Sequence, residues 1–580
     1  MTRDRPVRIA NCSGFFGDRL SAAKEMVEGG DIDVLTGDWL AELTMLILHK
    51  QRARNSELGY ASTFLTQMEQ VIGTCVERGI KVVSNAGGLN PAGCADRVRQ
   101  IADRLGVGVN VAHVEGDDLM PRIDGLRPQL ANLDTGAPFT AQPVSANAYL
   151  GGWGIAAALQ ASADVVICPR VTDASLVVGP AAWWWNWSMD DWDALAGAVV
   201  AGHIIECGAQ TCGGNYSFFE QIPDLAEPPG FPLAEIDHDG SCVITKHPGT
   251  GGLISVGTVT AQLLYEIGAP HYLNPDVVTD FGSIHLDDVG PDRVRVSGVR
   301  GSQGPSTTKV CINFDGGYRN RMTFVLTGLD QPAKAAWAQS ALFDRLGGRD
   351  RFDEVDVRFV EAPSDAIGQE ASSGRLHVTV KSADERVVGR AFSSAAIELA
   401  LANFPGFFVS SLPTDAQSFG IYWPALVSND EVQPVVVLAD GSRIAVEPSR
   451  GAVRDASDRD TSQPAEHVID VAPVGPSAGA PLGGYFGARS GDKGGNANVG
   501  VWATDAAGYA WLDANLTAEA VSELLPEAAG LEIRRYELPN LLALNFVIVG
   551  YLGEGVASSA AFDTQAKGLG EYLRSRPWHP

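Results

Sequence analysis

The sequence predicts a multidomain α/β protein: an N-terminal doubly wound parallel-sheet domain over residues 1–230, a central α+β domain over 231–448, and a small C-terminal α/β or α+β domain over 481–580. Three observations lead there. The 580 residues exceed what one hydrophobic core supports, since domains hold roughly 150 residues each. Short apolar runs such as KVVS and VVIC alternate with helical periodicity through the first 230 residues, the pattern of parallel strands covered by helices. Beyond residue 231 the texture changes to hairpin-like strands mixed with helices.

Taken in order, VRIA (7–10) reads as a strand, NCSGFFGDR as a turn, LSAAKEMVEGG as a helix and IDVLTGD as a second strand, which is one βαβ unit. A helix around 63–78 leads to the strand IKVVSNAGG, and a helix from Gly93 to Leu105 leads to VGVNVAHVEGDD. A helix including Trp153 to Ser162 precedes ADVVICPRVTDAS. Ligands of such a sheet gather beyond the carboxyl ends of its strands. In the central domain AEIDHDGSCVITKHP reads as a hairpin with Asp239-Gly240 as a two-residue turn, and VTAQLLYEIG reads as a helix. Residues 449–480, polar and rich in Pro, Ala, Ser and Asp, read as a linker that limited proteolysis should cut. The last domain opens on PLGGYFGARSGDKGGNANVGVW, closes on a helix near Gly568 to Arg574, and reads as separable.

Forty-three basic against seventy acidic residues leave a formal charge of −27, which repels nucleic-acid phosphates and anionic lipid, so neither is an expected partner. No apolar run reaches the roughly 18 residues of a membrane span, and the basic lead MTRDR runs into a strand without the apolar region of a signal peptide. Eight cysteines stand singly, without CxxC or zinc spacing. The expectation is a cytoplasmic protein with free thiols, no metal site and a small-molecule ligand. An anionic substrate remains compatible with the acidic chain, because a local basic, Gly-rich loop dominates within a Debye length of about 8 Å.

Several segments carry chemistry. The first turn, Cys12 to Gly17, holds the second and third glycines of a dinucleotide fingerprint, Gly14 and Gly17, with Asp38 about twenty residues on as a candidate ribose ligand; simple turn chemistry explains the same glycines. Asn85 to Pro91 (NAGGLNP) follows a strand and places Asn85 and Asn90 at the ligand edge, although Asn and Gly also suit any left-handed turn. Arg170-Val171-Thr172-Asp173 follows VVIC: Arg170 can clamp a carboxylate and Asp173 can act as a base, or the two can form an internal ion pair. The cluster of Trp183, Trp184, Trp185, Trp187 and Trp192 reads as core or subunit packing. His203 and Glu206 share a helix face, but no third metal ligand is identifiable. His247, followed by Thr250 in KHPGTGG, is the acid/base candidate among the histidines, suited to polarising a thioester carbonyl or holding a phosphate. Arg489, Ser490, Lys493, Asn496 and Asn498 crowd into RSGDKGGNAN, read as an anion-binding loop that is not a Walker A loop because Lys493 precedes the paired glycines. The expected site is a single cleft, with the His247 and Lys493 loops closing over the sheet edge at Asn85 and Arg170.

Together SGFFGDR, SNAGGLNP, PRVTDASLVVGP, AGHIIECGAQTCGGNY, KHPGTGGLISVGTVTAQLLYEIG and ARSGDKGGNANVG resemble the acyclic terpene utilisation A (AtuA) family over nearly the whole chain, including its C-terminal module. The resemblance implies a role in bacterial breakdown of citronellol- and geraniol-type terpenoids as coenzyme A thioesters. It therefore implies a branched acyl-CoA as small-molecule substrate, a lyase or hydratase reaction, no certain cofactor, and a homo-oligomer beside acyl-CoA carboxylase subunits. The alternative is a non-catalytic scaffold or accessory subunit of such a carboxylase. A nicotinamide oxidoreductase is a further rival, resting only on Gly14, Gly17 and Asp38.

Overall fold

The computed structural model describes residues 4–447, 451 and 471–579; the predicted linker lies for the most part outside the described residues. The chain is a mixed α/β protein with several sheets. The largest has eleven strands. Five parallel strands form its centre, in the order Val7–Asn11, Val34–Gly37, Lys81–Ser84, Val165–Ile167 and Val111–Glu115. The winding moves outward from the first strand, skips one place, and returns with Val165–Ile167 to fill it.

Antiparallel strands extend the sheet on both sides. Pro232–Ile236, Cys242–Lys246, Arg293–Ser297 and His285–Gly290 add beside Val7–Asn11, and Val435–Val437 with Arg443–Ala445 adds beside Val111–Glu115. The position drawn at residue 230 therefore falls inside this sheet. The hairpin expected around Asp239-Gly240 forms, but Ile236 pairs with Cys242, so its connection spans residues 237–241 rather than two.

The pattern of burial follows the pattern of apolar residues. Helices Ala22–Gly29, Ser62–Arg78 and Pro91–Leu105 bury one apolar stripe each, through Met26, Phe64, Met68, Ile72 and Val98. Helices Ser175–Trp185 and Trp192–Ile205 are apolar nearly all round and almost wholly buried, as expected of core helices. The tryptophan stretch seals this packing: the indole N–H groups of Trp185 and Trp187 donate to the carbonyls of Ile236 and His238 at 3.1 and 2.8 Å.

The chain divides into two compact units. One holds the residues up to Asn313, Tyr422–Val556 and those from Asp563 onward, so the C-terminal module belongs with the large sheet. Within it, that module is a four-stranded antiparallel sheet in the order Phe486–Lys493, Asn496–Ala503, Ala543–Ile548 and Ile533–Leu538, with its own core of Phe486, Val499, Leu512, Phe546 and Leu573. The other unit comprises Phe314–Ile421 and Ala557–Phe562. Its antiparallel strands, among them Glu354–Val360 and Ser373–Ser382, pack on helices Gln331–Leu346 and Arg390–Glu398 through Phe324, Leu342, Phe392 and Leu399. The late segment is tied to this unit by Arg319 and Arg321, which donate to the carbonyls of Ala557 and Ser559 at 2.9 and 3.1 Å, and by Lys381 on the Ser558 hydroxyl at 3.2 Å. Among the described residues no helix is long and apolar enough to cross a membrane.

Candidate functional site

Where the parallel strands stop, the chain leaves the sheet and its polar side chains must find partners. After the second strand comes Asp38, after the third Asn85, after the fourth in space Arg170. The Asn85 amide donates to the Asp38 carboxyl and accepts the Trp39 N–H at 2.9 Å, while Leu40 N–H donates to Asp38 at 2.9 Å. Arg170 is 2 % exposed. Its guanidinium donates to Asp173 at 3.0 Å and to the Leu40 carbonyl at 3.3 Å, and lies 4.3 Å from the Tyr149 ring centre. The Tyr149 hydroxyl in turn donates to Glu42 at 2.8 Å. Asp173 keeps a third of its side chain exposed, so this ion pair is open on the carboxylate side.

A second wall comes from two helix ends. Glu206 follows helix Trp192–Ile205; it is 8 % exposed, one oxygen 3.2 Å from His203 Nδ1 and the other, Oε2, without a partner. Glu266 follows helix Val256–Leu263 in a left-handed conformation, φ +55°, which a non-glycine residue adopts only when its surroundings impose it. They do so here from the C-terminal module. Asn498 accepts the Glu266 N–H at 2.7 Å, and Lys493 Nζ donates to the Glu266 carbonyl at 2.7 Å. The Glu266 carboxylate then meets Lys567 at 3.2 Å, and Lys567 stands 3.7 Å from Asp492.

These groups share one electrostatic neighbourhood. Burial raises Glu206 well above the ordinary carboxylate range, and the charge of Asp173 adds to the rise, while Lys493 and Arg170 oppose it. Asp38 is raised in the same way, by burial and then by Asp173. Glu266 is raised by burial and Asp492. Glu42 goes the other way: burial pushes it up, but Lys309 and Arg170 outweigh that and bring it down to about 2. Burial and the charge of Lys493 hold His203 down to about 4, a neutral imidazole. The arrangement thus sets carboxyls raised above their ordinary range, an Arg–carboxylate pair and a lysine that burial lowers around one space, the kind of separation that lets one carboxyl act as acid while another acts as base.

Of the residues singled out in the sequence, Asp38, Asn85, Arg170, Asp173, His203, Glu206 and Lys493 come together here, with Asn498 holding the Glu266 backbone. His247 does not. Its Nε2 lies 2.9 Å from the Met26 carbonyl, its ring packs against Gly29 and Gly30, and its charged neighbours are Arg8 and Asp31. Thr250 donates to the His247 carbonyl at 2.8 Å, and the helix that follows is capped by Ser255 instead. Asn90 is an N-cap, accepting Gly93 N–H at 3.0 Å. The first turn is closed: Gly14 N–H donates to Asp18 at 2.8 Å, a Cβ on Gly14 would lie 2.7 Å from the Cys207 backbone, and the next helix begins only at Ala22, so no helix N-terminus faces Gly14 and Gly17.

The supposed anion loop is a β-hairpin in which Lys493 pairs with Asn496 across Gly494-Gly495. Most of its polar groups are occupied by the protein: Ser490 donates to the Ala566 carbonyl at 2.6 Å, Asn496 to Asp134 at 2.9 Å, and Asn498 to Asn545. Arg489 is the exception. Glu42, Glu266, Lys309, Tyr149 and Lys567 were not singled out in the sequence; each is a single polar residue in or close to a helix or strand, and even the YEIG stretch around Glu266 gives no sign of its partners. Among the described residues no group of His, Cys, Asp and Glu has the disposition of a metal centre.

Asp117 supports the strand ends from below, accepting Asn147 Nδ2 at 2.7 Å and Arg170 N–H at 3.3 Å, and burial pushes it up to about 7. An aspartate raised on folding binds a proton between its unfolded value near 4 and its folded value. The resulting stability, on the order of 4 kcal/mol, is complete below pH 4 and is lost as pH rises to 7. Asp117→Asn keeps the acceptor without the charge. Urea midpoints at pH 5 and pH 8 should therefore fall less in the variant than in the wild type; equal falls would refute the assignment.

The comparisons with known proteins agree with this full-length organisation. Residues 7–438 match the acyclic terpene utilisation family protein AtuA, and residues 481–578 match the AtuA ferredoxin-like domain. No curated protein matches the chain. With the first of these matches covering most of the sequence and the second its C-terminal sheet, the chain belongs to the AtuA family, whose name ties it to acyclic terpene utilisation.

Proposed function

We propose that the chain is an enzyme of acyclic terpenoid breakdown that performs acid–base chemistry on a branched acyl-CoA thioester, by hydration or carbon–carbon cleavage. The observation that carries this reading is the convergence of Asp173, Arg170 and Lys493, from strand end and C-terminal hairpin, on the buried, half-unpartnered carboxyl of Glu206. Asp173, paired with Arg170 and partly open, suits the base; Glu206, raised well above the ordinary carboxylate range by burial, suits the acid. In hydration, Asp173 takes a proton from water as its oxygen bonds to the β-carbon, and Glu206 protonates the α-carbon. In cleavage, Asp173 takes the proton of a β-hydroxyl, the bond between the α- and β-carbons breaks to leave a ketone, and Glu206 protonates the released enolate. Arg170 and Lys493 supply positive charge where the thioester oxygen becomes negative.

The test is a screen of the purified chain against branched enoyl- and 3-hydroxyacyl-CoA thioesters, followed by mass spectrometry. Turnover by the chain alone is expected, with kcat/KM lowered about tenfold or more in Lys493→Ala. No turnover, with the chain instead recovered in stoichiometric complex with acyl-CoA carboxylase subunits, would replace this reading by that of an accessory subunit.

A further inference from the structure

Beside the acid–base cluster lies a pocket of about 260 Å³, lined by Tyr216, Ser217, Arg489, Ser490, Lys567 and Glu571 among others. Arg489 is its notable member. It is 7 % exposed, yet among the described residues its guanidinium makes no ion pair and no hydrogen bond; its recorded contact is with the face of Tyr265, at 4.4 Å. Burial works against its charge. A buried guanidinium without an anion is costly, because the desolvation of the ion is not recovered by a partner. Lys567 Nζ lies 4.4 Å from the centre of the same ring and donates to the Tyr265 hydroxyl.

The nearby acids do not neutralise the pair. Glu571 is committed to Arg574 at 2.7 Å and to the Ser217 hydroxyl at 3.0 Å. Glu266 and Asp492, which face Lys567, are both held above the ordinary carboxylate range by burial, Asp492 to about 7. Two cations, one of them with five unused N–H donors, therefore face a space large enough for a phosphoryl group and part of its ester. The Ser217 and Ser490 hydroxyls serve the protein backbone and Lys567 already donates to the Tyr265 hydroxyl and to Glu266, so Arg489 is the group left to recognise a ligand, with the Lys567 charge beside it.

We propose that this pocket is a phosphate-recognition site in which Arg489 and Lys567 hold a phosphate monoester, and that the ester is the nucleotide end of the thioester carrier. The second half of this statement rests on the acyl-CoA reading above; the first half does not. Arg489 forms the bidentate pair that its planar fork favours, and Lys567 adds a point charge.

Titration calorimetry with inorganic phosphate and with adenosine 3′,5′-bisphosphate tests it, on the wild type, Arg489→Gln and Arg489→Lys. Both probes are expected to bind the wild type, with affinity lower by about 10- to 100-fold in Arg489→Gln and intermediate in Arg489→Lys. Without ligand, Arg489→Gln should melt at the same temperature as the wild type or higher, because an unpaired buried charge has been removed. Loss of stability in that variant, or failure of both probes to bind the wild type, overturns the site. Should Arg489→Gln fail to fold, Arg489→Lys binding as tightly as the wild type overturns it equally. The carrier is tested by KM: in Arg489→Gln it should rise for an acyl-CoA and stay unchanged for the matching acyl-pantetheine, which lacks the nucleotide. Arg489-dependent binding of both probes without any thioester turnover would leave the phosphate site standing and remove the acyl-CoA reading; binding of phosphate alone would remove the nucleotide.

Discussion

Glu206→Gln is expected to lower turnover of the branched thioester by about 10²- to 10⁴-fold, the usual worth of a positioned acid, with little change in melting temperature. The reason lies in the protonation state. Burial and the neighbouring Asp173 charge raise Glu206 well above the ordinary carboxylate range and so favour its neutral form, so an amide of the same shape replaces it at small cost to the fold but has no acidic proton to give. The rate should also lose its alkaline limb, because in the wild type activity falls when Glu206 ionises at its raised value. Stopped-time assays across pH 5–10 on both proteins check this. A variant within twofold of wild type, with the same pH profile, would remove Glu206 from the chemistry.

Arg170→Met should produce the largest loss of stability, about 3 kcal/mol, the low end of the cost of breaking a buried ion pair, because Arg170 is buried while Asp173 stays partly open to solvent. The methionine leaves Asp173 without its cation, strips the Leu40 carbonyl of its donor, and removes a positive charge that acts on Asp38 and Glu42. Arg170→Lys should recover only part, since an ammonium cannot reach Asp173 and Leu40 in one plane while stacking on Tyr149. The pH dependence follows from Glu42. Held near 2, it stabilises the fold above its unfolded value near 4 and loses that contribution as pH falls toward 2. Part of that depression is Arg170's, so the deficit of the variant should be smaller at pH 4 than at pH 7. Urea denaturation at the two pH values measures it; an equal deficit would mean that Arg170 acts through packing alone.

The parallel centre of the large sheet was legible because its strands carry a signal that survives without context: apolar runs of four or five residues between helical stretches. That signal also explains why Asn85 and Arg170 could be placed at one edge, since parallel strands share direction. The antiparallel flanks were harder to assign, because a strand such as Pro232–Ile236 joins this sheet through pairing with Val7–Asn11, more than two hundred residues away. His247 misled for a local reason: an imidazole beside glycines looks like a turn poised for proton transfer, yet here the glycines that matter are Gly29 and Gly30, which make room for the ring. RSGDKGGNAN misled in the opposite sense. Its polar residues read as an anion-binding loop, but they are strand residues, most of whose partners lie in distant segments of the chain, Asn498 on Glu266 and Ser490 on Ala566. Glu206 was legible only as sharing a helix face with His203, and Glu266 left little trace because an acid at a helix end is ordinary until its neighbours are known.

The short stretch Ala557–Phe562 has a consequence for how the protein is made. It completes one compact unit, while the residues on either side of it complete the other. During synthesis the ribosome still holds this stretch when nearly all of both units has emerged, so neither can finish folding as the chain lengthens. Arg319, Arg321 and Lys381 wait for carbonyls and a hydroxyl more than 170 residues later in the chain, and Glu266 waits for Asn498. A chain truncated by a late stop codon would thus leave both units open at once, with their interiors presented to proteases together.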